Sequence, residues 1–201
     1  ALTIRKENEM TDKELKQFAL RSRIEVVKCL EHRGFGHIGG CMSIADVLSV
    51  LYNGVRNIDP KDPQKKDRDM LVVSKGHAGP AVFATLALKG YFPVDWLNTL
   101  CEGRTKLPSH CDRLRTPGID ASTGSLGQGL SLACGFAHGA KIKGMPNTIY
   151  CLMGDGEIQE GQIWEAAMYA NQYGLDNLIG FVDWNKKQID GTIDECVALV
   201  D

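Results

Sequence analysis

Residues 148–185 read TIYCLMGDGEIQEGQIWEAAMYANQYGLDNLIGFVDWN, and they dictate the architecture of the chain. An apolar strand pattern over 148–153 runs into the turn GDG at 154–156, a helical pattern covers 161–173, and a second strand pattern covers 178–183. A strand, a helix and a strand in so short a span form a βαβ unit, whose strands are parallel and whose crossover is right-handed. The sequence therefore predicts an α/β fold with a mostly parallel sheet flanked by helices.

The N-terminal part is predicted to be helical. Thr11 and Glu14 form a capping-box pattern, and apolar residues then recur every three to four positions as far as Leu30, which predicts a helix with one buried face. A second short helix is expected to start with Ser43 as its cap and to run through Tyr52.

The middle of the chain predicts one more strand and its helix. Residues 70–74 form a strand pattern, residues 81–88 a helical one, and residues 90–122 are mainly loop with a short helix near 94–101. Three strands make an incomplete doubly wound sheet, so either further strands lie in the loops or the chain stops before its domain is finished.

Residues 124–144 combine a helical pattern with a small residue at every fourth position. The members of this stripe are Gly127, Ser131, Gly135 and Gly139. Because glycine costs about 1 kcal/mol per helix position relative to alanine, we expect the stripe to allow close approach of another helix or of a ligand.

Composition favours one globular domain over residues 1–201 and excludes several classes. The chain is 43% apolar and 24% charged, with a formal net charge of −2, so it has no basic field to attract nucleic acid or an anionic membrane. Its apolar stretches fall short of the ~18 residues of a membrane span, and its polar start has no signal core. Seven scattered cysteines without C-x-x-C spacing indicate neither zinc nor disulfides, which favours the cytoplasm.

Polar residues follow two neighbouring strands where each strand ends. Asp155 comes at the end of one predicted strand, and Asn185 lies two residues past the end of the next. Ligands of parallel sheets bind at the carboxyl ends of the strands, and Mg²⁺ prefers oxygen donors of this kind. The helix that follows offers free N–H groups for a phosphate. The sequence therefore predicts a magnesium and diphosphate site, with an ordinary strand-to-helix turn as the alternative.

Four ordered motifs resemble those of the transketolase family. The segment GDGEIQEG at 154–161, together with VDWN at 182–185, resembles its thiamine-diphosphate motif. Three further segments match in the same order: GHIGG at 36–40, SKGHA at 74–78 and STGSLGQG at 122–129. The resemblance covers most of the chain and implies the thiamine-diphosphate-binding fold, with thiamine diphosphate and Mg²⁺ as cofactors.

The resemblance also implies a role for individual residues. The metal ligands would be Asp155, Asn185 and, through its backbone carbonyl, Lys187. The cofactor-binding residues would be His77, Gly124, Leu126, Gly154, Asp155, Gly156, Glu157 and Asn185. The catalytic residues would be His37 and His110, which face the substrate, and Glu160, which with Glu165 matches buried acidic residues between active sites. The alternatives are that His77 caps a helix, that His37 is an ordinary loop residue, and that the two glutamates are solvated helix residues.

The length implies a partner. A full transketolase continues into a second domain that grips the aminopyrimidine and supplies a glutamate, and the family contains split versions. The chain resembles the N-terminal, diphosphate-binding subunit of such a pair, shortened relative to the family. The expected partner is a C-terminal subunit with the pyrimidine-binding domain, the expected assembly is a dimer of heterodimers, and the expected reaction moves a two-carbon ketol unit between sugars or sugar phosphates. The alternatives are half of a 1-deoxyxylulose-5-phosphate synthase-like enzyme and a non-catalytic thiamine-diphosphate-binding subunit.

The chain departs from the family around His110. Where many transketolases have the sequence GHPE, it has SHCD at 109–112, followed by Arg113 and Arg115. A guanidinium suits a carboxylate, phosphate or sulfonate. One hypothesis is that this loop tunes the enzyme toward an anionic sugar; the alternative is that both arginines pair with Asp112 and Asp120 on the surface.

Overall fold

A computed structural model of the chain describes residues 10–197, which divide into two compact units interleaved along the sequence. Unit 1 contains the described residues up to Asp69 together with His77–Ser122. Unit 2 contains Met70–Gly76 and the described residues from Thr123 onward. Each unit has its own set of secondary-structure elements.

Unit 1 begins with helix α1, Asp12–Arg33. The predicted capping box is confirmed, because the Thr11 side chain accepts a hydrogen bond from the Glu14 N–H while the Glu14 carboxylate accepts one from the Thr11 N–H. The predicted apolar face is buried, including Phe18 and Val26. The helix ends at Gly34, which has a left-handed conformation.

The predicted start of the second helix, with Ser43 as its cap, is wrong. Helix α2 spans Ile38–Ser43 and helix α3 spans Ala45–Val50, followed by a π-helical turn at Leu51–Val55. Ser43 is the last residue of α2, where its hydroxyl donates to the Gly40 carbonyl, and the residue that precedes α3 is Ile44, which makes no side-chain capping hydrogen bond.

The rest of unit 1 follows the prediction closely. Helix α4, Gly79–Leu88, starts two residues earlier than expected and is almost wholly buried. The loop region contains the expected short helix, a 3₁₀ turn at Val94–Thr99. This region is anchored by the buried carboxylate of Asp120, which accepts hydrogen bonds from Arg56 at 3.0 Å and Arg68 at 2.7 Å.

Unit 2 is built on a three-stranded parallel sheet. Its strands are β1, Met70–Val73, β2, Ile149–Gly154, and β3, Leu178–Asp183, in the order β1-β2-β3. The predicted strands and their parallel pairing are confirmed. Strand β2 is central and buried, whereas β3 alternates between half-buried and exposed residues.

Three helices accompany this sheet. Helix α5, Gln128–Ile142, packs on β2 and on helix α6, Gly161–Gln172, and a short helix α7 spans Ile193–Cys196. The βαβ unit predicted from residues 148–185 is therefore present. Within residues 10–197, every helix is too short or too polar to span a membrane.

The glycines of α5 have different surroundings. A Cβ added at Gly129 would lie 2.2 Å from the Ser74 hydroxyl and 2.7 Å from the Ser74 Cα, so the helix approaches the end of β1 at this glycine. A Cβ added at Gly135 or Gly139 would meet nothing within 4 Å. The stripe positions at the middle and end of α5 therefore face open space, and the described chain supplies no neighbour that requires glycine there.

This contrast predicts opposite effects of one substitution. Gly135→Ala should raise the free energy of unfolding by about 1 kcal/mol, because it improves helix propensity without a clash. Gly129→Ala should lower it by roughly 1–3 kcal/mol, because backbone atoms must move to admit the methyl group. Urea unfolding of both variants, followed by circular dichroism, measures the difference; equal effects would contradict the packing described here.

Candidate functional site

The carboxyl end of the unit 2 sheet brings Asp155 and the loop after β3 together. Residues Gly154 and Asp183 are paired in the β2–β3 register, and the Asp155 N–H donates to the Asp183 carbonyl at 3.2 Å. The Asp155 side chain is buried, and its two carboxylate oxygens accept hydrogen bonds from the N–H groups of Gly156 and Lys186. Two of the predicted metal-site segments thus lie in direct contact.

The loop at 185–187 is held in a conformation that turns sharply. Lys186 has a φ of 63°, in the left-handed region that non-glycine residues rarely adopt. The Asn185 Oδ1 accepts a hydrogen bond from the Lys187 N–H at 3.0 Å, and Lys187 pairs with Thr192 in an isolated bridge. This turn keeps the Asn185 amide and the Lys187 backbone close to Asp155.

Glu157 has a position that the sequence did not reveal. Its carboxylate is buried and accepts hydrogen bonds from the Ser74 hydroxyl, from the Gly127 N–H at 2.9 Å and from the Gly154 N–H at 3.0 Å. The side chain therefore connects the ends of β1 and β2 with the turn before α5. Direct contact of Glu157 with a cofactor stays a prediction. The observed contacts hold the strand ends and the turn before α5 together.

Lys75 and Asp183 form a largely buried ion pair at the same end of the sheet. The distance from Lys75 Nζ to Asp183 Oδ2 is 2.5 Å, and the two side chains are 2% and 12% exposed. The sequence did not single out this pair, because the residues are 108 positions apart and each lies inside a motif assigned for other reasons.

The charges at this end of the sheet favour a cation. Among residues 10–197, Asp155 and Glu157 make no ion pair, and the hydrogen bonds to these two buried carboxylates all come from neutral donors. Buried charge without an opposite charge is costly. No group of three or more His, Cys, Asp or Glu side chains that could hold a metal occurs in the described part of the chain. The predicted set fits Mg²⁺ nonetheless, since this ion takes one or two carboxylates and completes its shell with waters and phosphates.

Two other predicted cofactor residues, Gly124 and Leu126, lie in the turn before α5. A Cβ added at Gly76 would lie 2.6 Å from the Thr123 carbonyl oxygen and 2.8 Å from the Gly124 nitrogen, so Gly124 is held against the end of β1. The Leu126 side chain is exposed. Gly127 has a φ of 85°, and a Cβ there would lie 2.8 Å from the Glu160 Cβ. Glu160 therefore packs on this turn.

The surroundings of Glu160, Glu165 and Gly156 differ from what their predicted roles require. Glu160 and Glu165 are exposed in this chain, so burial of these residues between active sites would need a second chain. Gly156 is contacted by the Gln188 side chain, whose Cδ would lie 2.9 Å from an added Cβ, so a diphosphate contact at Gly156 stays a prediction.

The predicted histidines lie together in unit 1. The His37 and His77 rings are 5.1 Å apart between centroids. His110 is close enough to His37 for the two to interact electrostatically. The His110 Nδ1 is 2.9 Å from the Ser109 hydroxyl, so Ser109, which replaces a glycine of the family motif, holds this ring. When the hydroxyl donates to Nδ1, the Nε2–H is left to donate outward.

Partial burial and His37 both lower the pKa of His110. Burial has the larger effect, since an imidazolium loses hydration there, and a nearby histidine disfavours a second positive charge. The imidazole of His110 is therefore neutral at pH 7, which suits hydrogen bonding to a hydroxyl or a carbonyl.

The loop after His110 is ordered by Asp112 and Ser122. The Asp112 carboxylate accepts a hydrogen bond from the Leu114 N–H at 2.8 Å, and the Ser122 hydroxyl accepts one from the Arg113 N–H at 3.0 Å. Arg115 lies 3.5 Å from Asp112 on the surface, whereas the exposed Arg113 guanidinium makes no ion pair among the described residues. The surface-pairing alternative thus holds for Arg115 only, since Asp120 pairs with Arg56 and Arg68.

A parallel sheet with oxygen donors and buried carboxylates at its carboxyl end defines an α/β protein suited to a metal–diphosphate ligand. The family model described as "Transketolase, thiamine diphosphate binding domain" matches residues 15–199. The chain therefore belongs to the transketolase family and has its thiamine-diphosphate-binding fold.

Individual relatives give the same assignment. The 6-deoxy-6-sulfo-D-fructose transketolase subunit SqwG of Clostridium sp. (strain MSTE9) is 57% identical over 162 residues, which are 81% of this chain and 59% of that protein. An apulose-4-phosphate transketolase subunit of Actinobacillus succinogenes is 45% identical, over 89% of this chain and 64% of that protein. The crystal structure of Campylobacter jejuni transketolase superposes with a TM-score of 0.89 and 34% identity, over 94% of this chain and 31% of that chain. The chain thus spans less than two thirds of the length of each of these relatives.

The histidine cluster predicts a measurable coupling. In NMR titrations, the His110 ring should titrate below its ordinary value of about 6.5, and His37→Asn should move the pKa of His110 back up, because it removes the neighbouring ring. In the wild type, the pKa of His110 is lower in the folded chain than in the unfolded chain, so the unfolded chain binds the proton more readily. The free energy of unfolding should therefore fall as the pH drops below about 6.5. The control His32→Asn, elsewhere in unit 1, should leave the pKa of His110 unchanged. Equal titration in the wild type and in His37→Asn would contradict the coupling.

Proposed function

We propose that this chain is the diphosphate- and magnesium-binding subunit of a split, thiamine-diphosphate-dependent transketolase that transfers a two-carbon ketol unit from a ketose to an aldose. The observation that supports this most directly is the pair of buried carboxylates, Asp155 and Glu157, whose hydrogen-bond donors are all neutral. A divalent cation at this end of the sheet offsets their charge and binds a diphosphate in turn.

The chain's own residues divide the work. Asp155, Asn185 and the Lys187 carbonyl hold Mg²⁺ through oxygen, and His77 with the turn at Gly124 contacts the cofactor. When bound, thiamine diphosphate supplies the electron sink that cleavage of a carbon–carbon bond beside a carbonyl requires. His37 and neutral His110 hydrogen-bond the substrate and move protons at its oxygens.

A pyrimidine-domain partner subunit completes the site in this proposal. The outward faces of α5 and α6 in unit 2 leave small and large apolar residues uncovered. These residues are Leu132, Gly135, Gly139, Ile142, Trp164, Met168 and Tyr173. Exposed apolar patches of this kind mark interaction surfaces, and the two similar proteins described above are named as subunits. Glu160, at the start of α6, is then covered by a second chain, and two such pairs form a dimer of heterodimers.

A reducing compartment such as the cytoplasm suits the seven cysteines. All of them are free thiols in the structure, and five are buried. Burial raises the pKa of the Cys29 thiol to about 12, so that this thiol stays protonated and unreactive.

Reconstitution tests the proposal. The purified chain alone should show no ketol transfer, whereas addition of a pyrimidine-domain subunit, Mg²⁺ and thiamine diphosphate should give turnover with a ketose donor. Asp155→Asn should abolish Mg²⁺-dependent cofactor binding in calorimetry of the pair, because an amide cannot replace the carboxylate charge. Turnover by the chain alone would contradict the split enzyme, unchanged affinity in Asp155→Asn would contradict the metal site, and a preference for pyruvate as donor would favour a 1-deoxyxylulose-5-phosphate synthase-like reaction.

The proposed substrate is a ketose with an anionic group at its far end. The names of the two similar subunits specify a sulfonated and a phosphorylated sugar. Arg113 lies three residues after His110 and presents a guanidinium with no ion pair among the described residues. A guanidinium binds a sulfonate or a phosphate through two parallel hydrogen bonds. The 57% identity to the SqwG subunit favours the sulfonate.

Arg113→Gln should raise KM for 6-deoxy-6-sulfofructose by about tenfold, the loss of one charge-assisted hydrogen-bonding group. It should leave KM for an uncharged ketose such as erythrulose unchanged. The matched control is Arg104→Gln, which removes an exposed arginine from the same unit. Equal changes for charged and uncharged donors would show that the loop is structural.

A further inference from the structure

Asp183, the last residue of β3, contacts both Lys75 and Asn185. Its Oδ2 accepts hydrogen bonds from Lys75 Nζ at 2.5 Å and from Asn185 Nδ2 at 3.2 Å. The first donor is a buried charge that comes from the end of β1, and the second is a predicted ligand of the cation. Asp183 therefore connects the ends of the unit 2 strands with the loop at 185–187.

The contact with Asp183 fixes which way the Asn185 amide points. A side-chain amide carries donors on its nitrogen and acceptors on its oxygen. Only the nitrogen can face a carboxylate, because the alternative orientation places two oxygen acceptors together. With Nδ2 held by Asp183, Oδ1 must face the other way, where it accepts one hydrogen bond from the Lys187 N–H and keeps a second lone pair. A cation needs this oxygen end of the amide.

Lys75 in turn holds Asp183. Its side chain is almost wholly buried, and its Cδ would lie 3.5 Å from a Cβ at Gly154, so the lysine stem passes alongside the end of β2 on its way to β3. The ion pair with this buried ammonium fixes the Asp183 carboxylate in place. The ion pair therefore spans the three strand ends without supplying a ligand itself.

We propose that Asp183 is a positioning residue for the cation site: with Lys75 behind it, it orients Asn185 Oδ1 toward Mg²⁺ and touches neither the ion nor the cofactor. This inference rests on the proposed metal–diphosphate site. Partners behind a ligand of this kind commonly change metal affinity by about 10- to 100-fold when they are removed.

The test uses the complete pair of subunits with thiamine diphosphate and follows Mg²⁺ binding by calorimetry, with activity as a second readout. Single substitution of Asp183 takes the carboxylate away from a buried lysine and threatens folding, so the variants also replace the lysine. Lys75→Met/Asp183→Ala should bind Mg²⁺ about 10- to 100-fold more weakly, while kcat at saturating Mg²⁺ changes little. Lys75→Met/Asp183→Asn should recover most of the affinity, because its amide oxygen accepts the Asn185 hydrogen bond again.

The two double variants separate positioning from mere stability. Both lack the ion pair, so a purely structural role gives them the same Mg²⁺ affinity, and that result would overturn the inference. Wild-type affinity in both would overturn it as well. The control Lys141→Met/Asp176→Ala removes an exposed ion pair of the same unit and should leave Mg²⁺ binding unchanged. Absence of Mg²⁺-dependent cofactor binding in the wild-type pair would instead refute the metal site, and with it this inference.

Discussion

The buried carboxylate of Glu157 is the interaction on which the arrangement of unit 2 depends. It accepts hydrogen bonds from the end of β1 at Ser74, from the end of β2 at Gly154 and from the turn before α5 at Gly127. Ser74 and Gly127 are far from Glu157 in the sequence, so their positions relative to the β2 turn are set by tertiary contacts. The three hydrogen bonds to the Glu157 carboxylate define the positions of Ser74 and Gly127 narrowly, because each hydrogen bond fixes a distance and a direction.

This support has an electrostatic consequence. The Glu157 carboxylate is buried two residues after Asp155, whereas the buried ammonium of Lys75 at these strand ends lies against Asp183. Among the described residues, no positively charged side chain forms an ion pair with Asp155, which lies beside the oxygen atoms predicted to bind the metal. Under the proposed function, this uncompensated negative charge favours binding of the cation, and the cation would in turn offset the repulsion of a diphosphate.

The elements that periodicity and capping specify could be predicted from the sequence, and those that depend on distant partners could not. The capping box at Thr11, the three strands and the βαβ unit have local patterns, and all are present in the structure. The start of α2 at Ile38 was missed because a glycine-rich run reads as a break. The Asp155 turn and the Asn185 loop were placed correctly, since parallel strands end at one edge. The contacts of Glu157 and the Lys75–Asp183 pair were missed, because no spacing rule links residues 30 or 108 positions apart.

The loop after His110 is shaped by two side chains and leaves its neighbours exposed. Its shape comes from Asp112, which closes the turn, and from Ser122, which accepts the Arg113 N–H. The side chains of Arg113, Leu114 and Arg115 take little part in this and are exposed, so they can vary at little cost to folding. The loop at 185–187 has the opposite character, since the Asp155 carboxylate accepts a hydrogen bond from the Lys186 N–H and the Asp183 carboxylate accepts hydrogen bonds from Lys75 and Asn185. Under the proposed function, substitutions at Arg113, Leu114 and Arg115 can alter contacts with a sugar at little cost to folding, whereas substitutions at Asp155 and Asp183 disturb the site proposed for the cation.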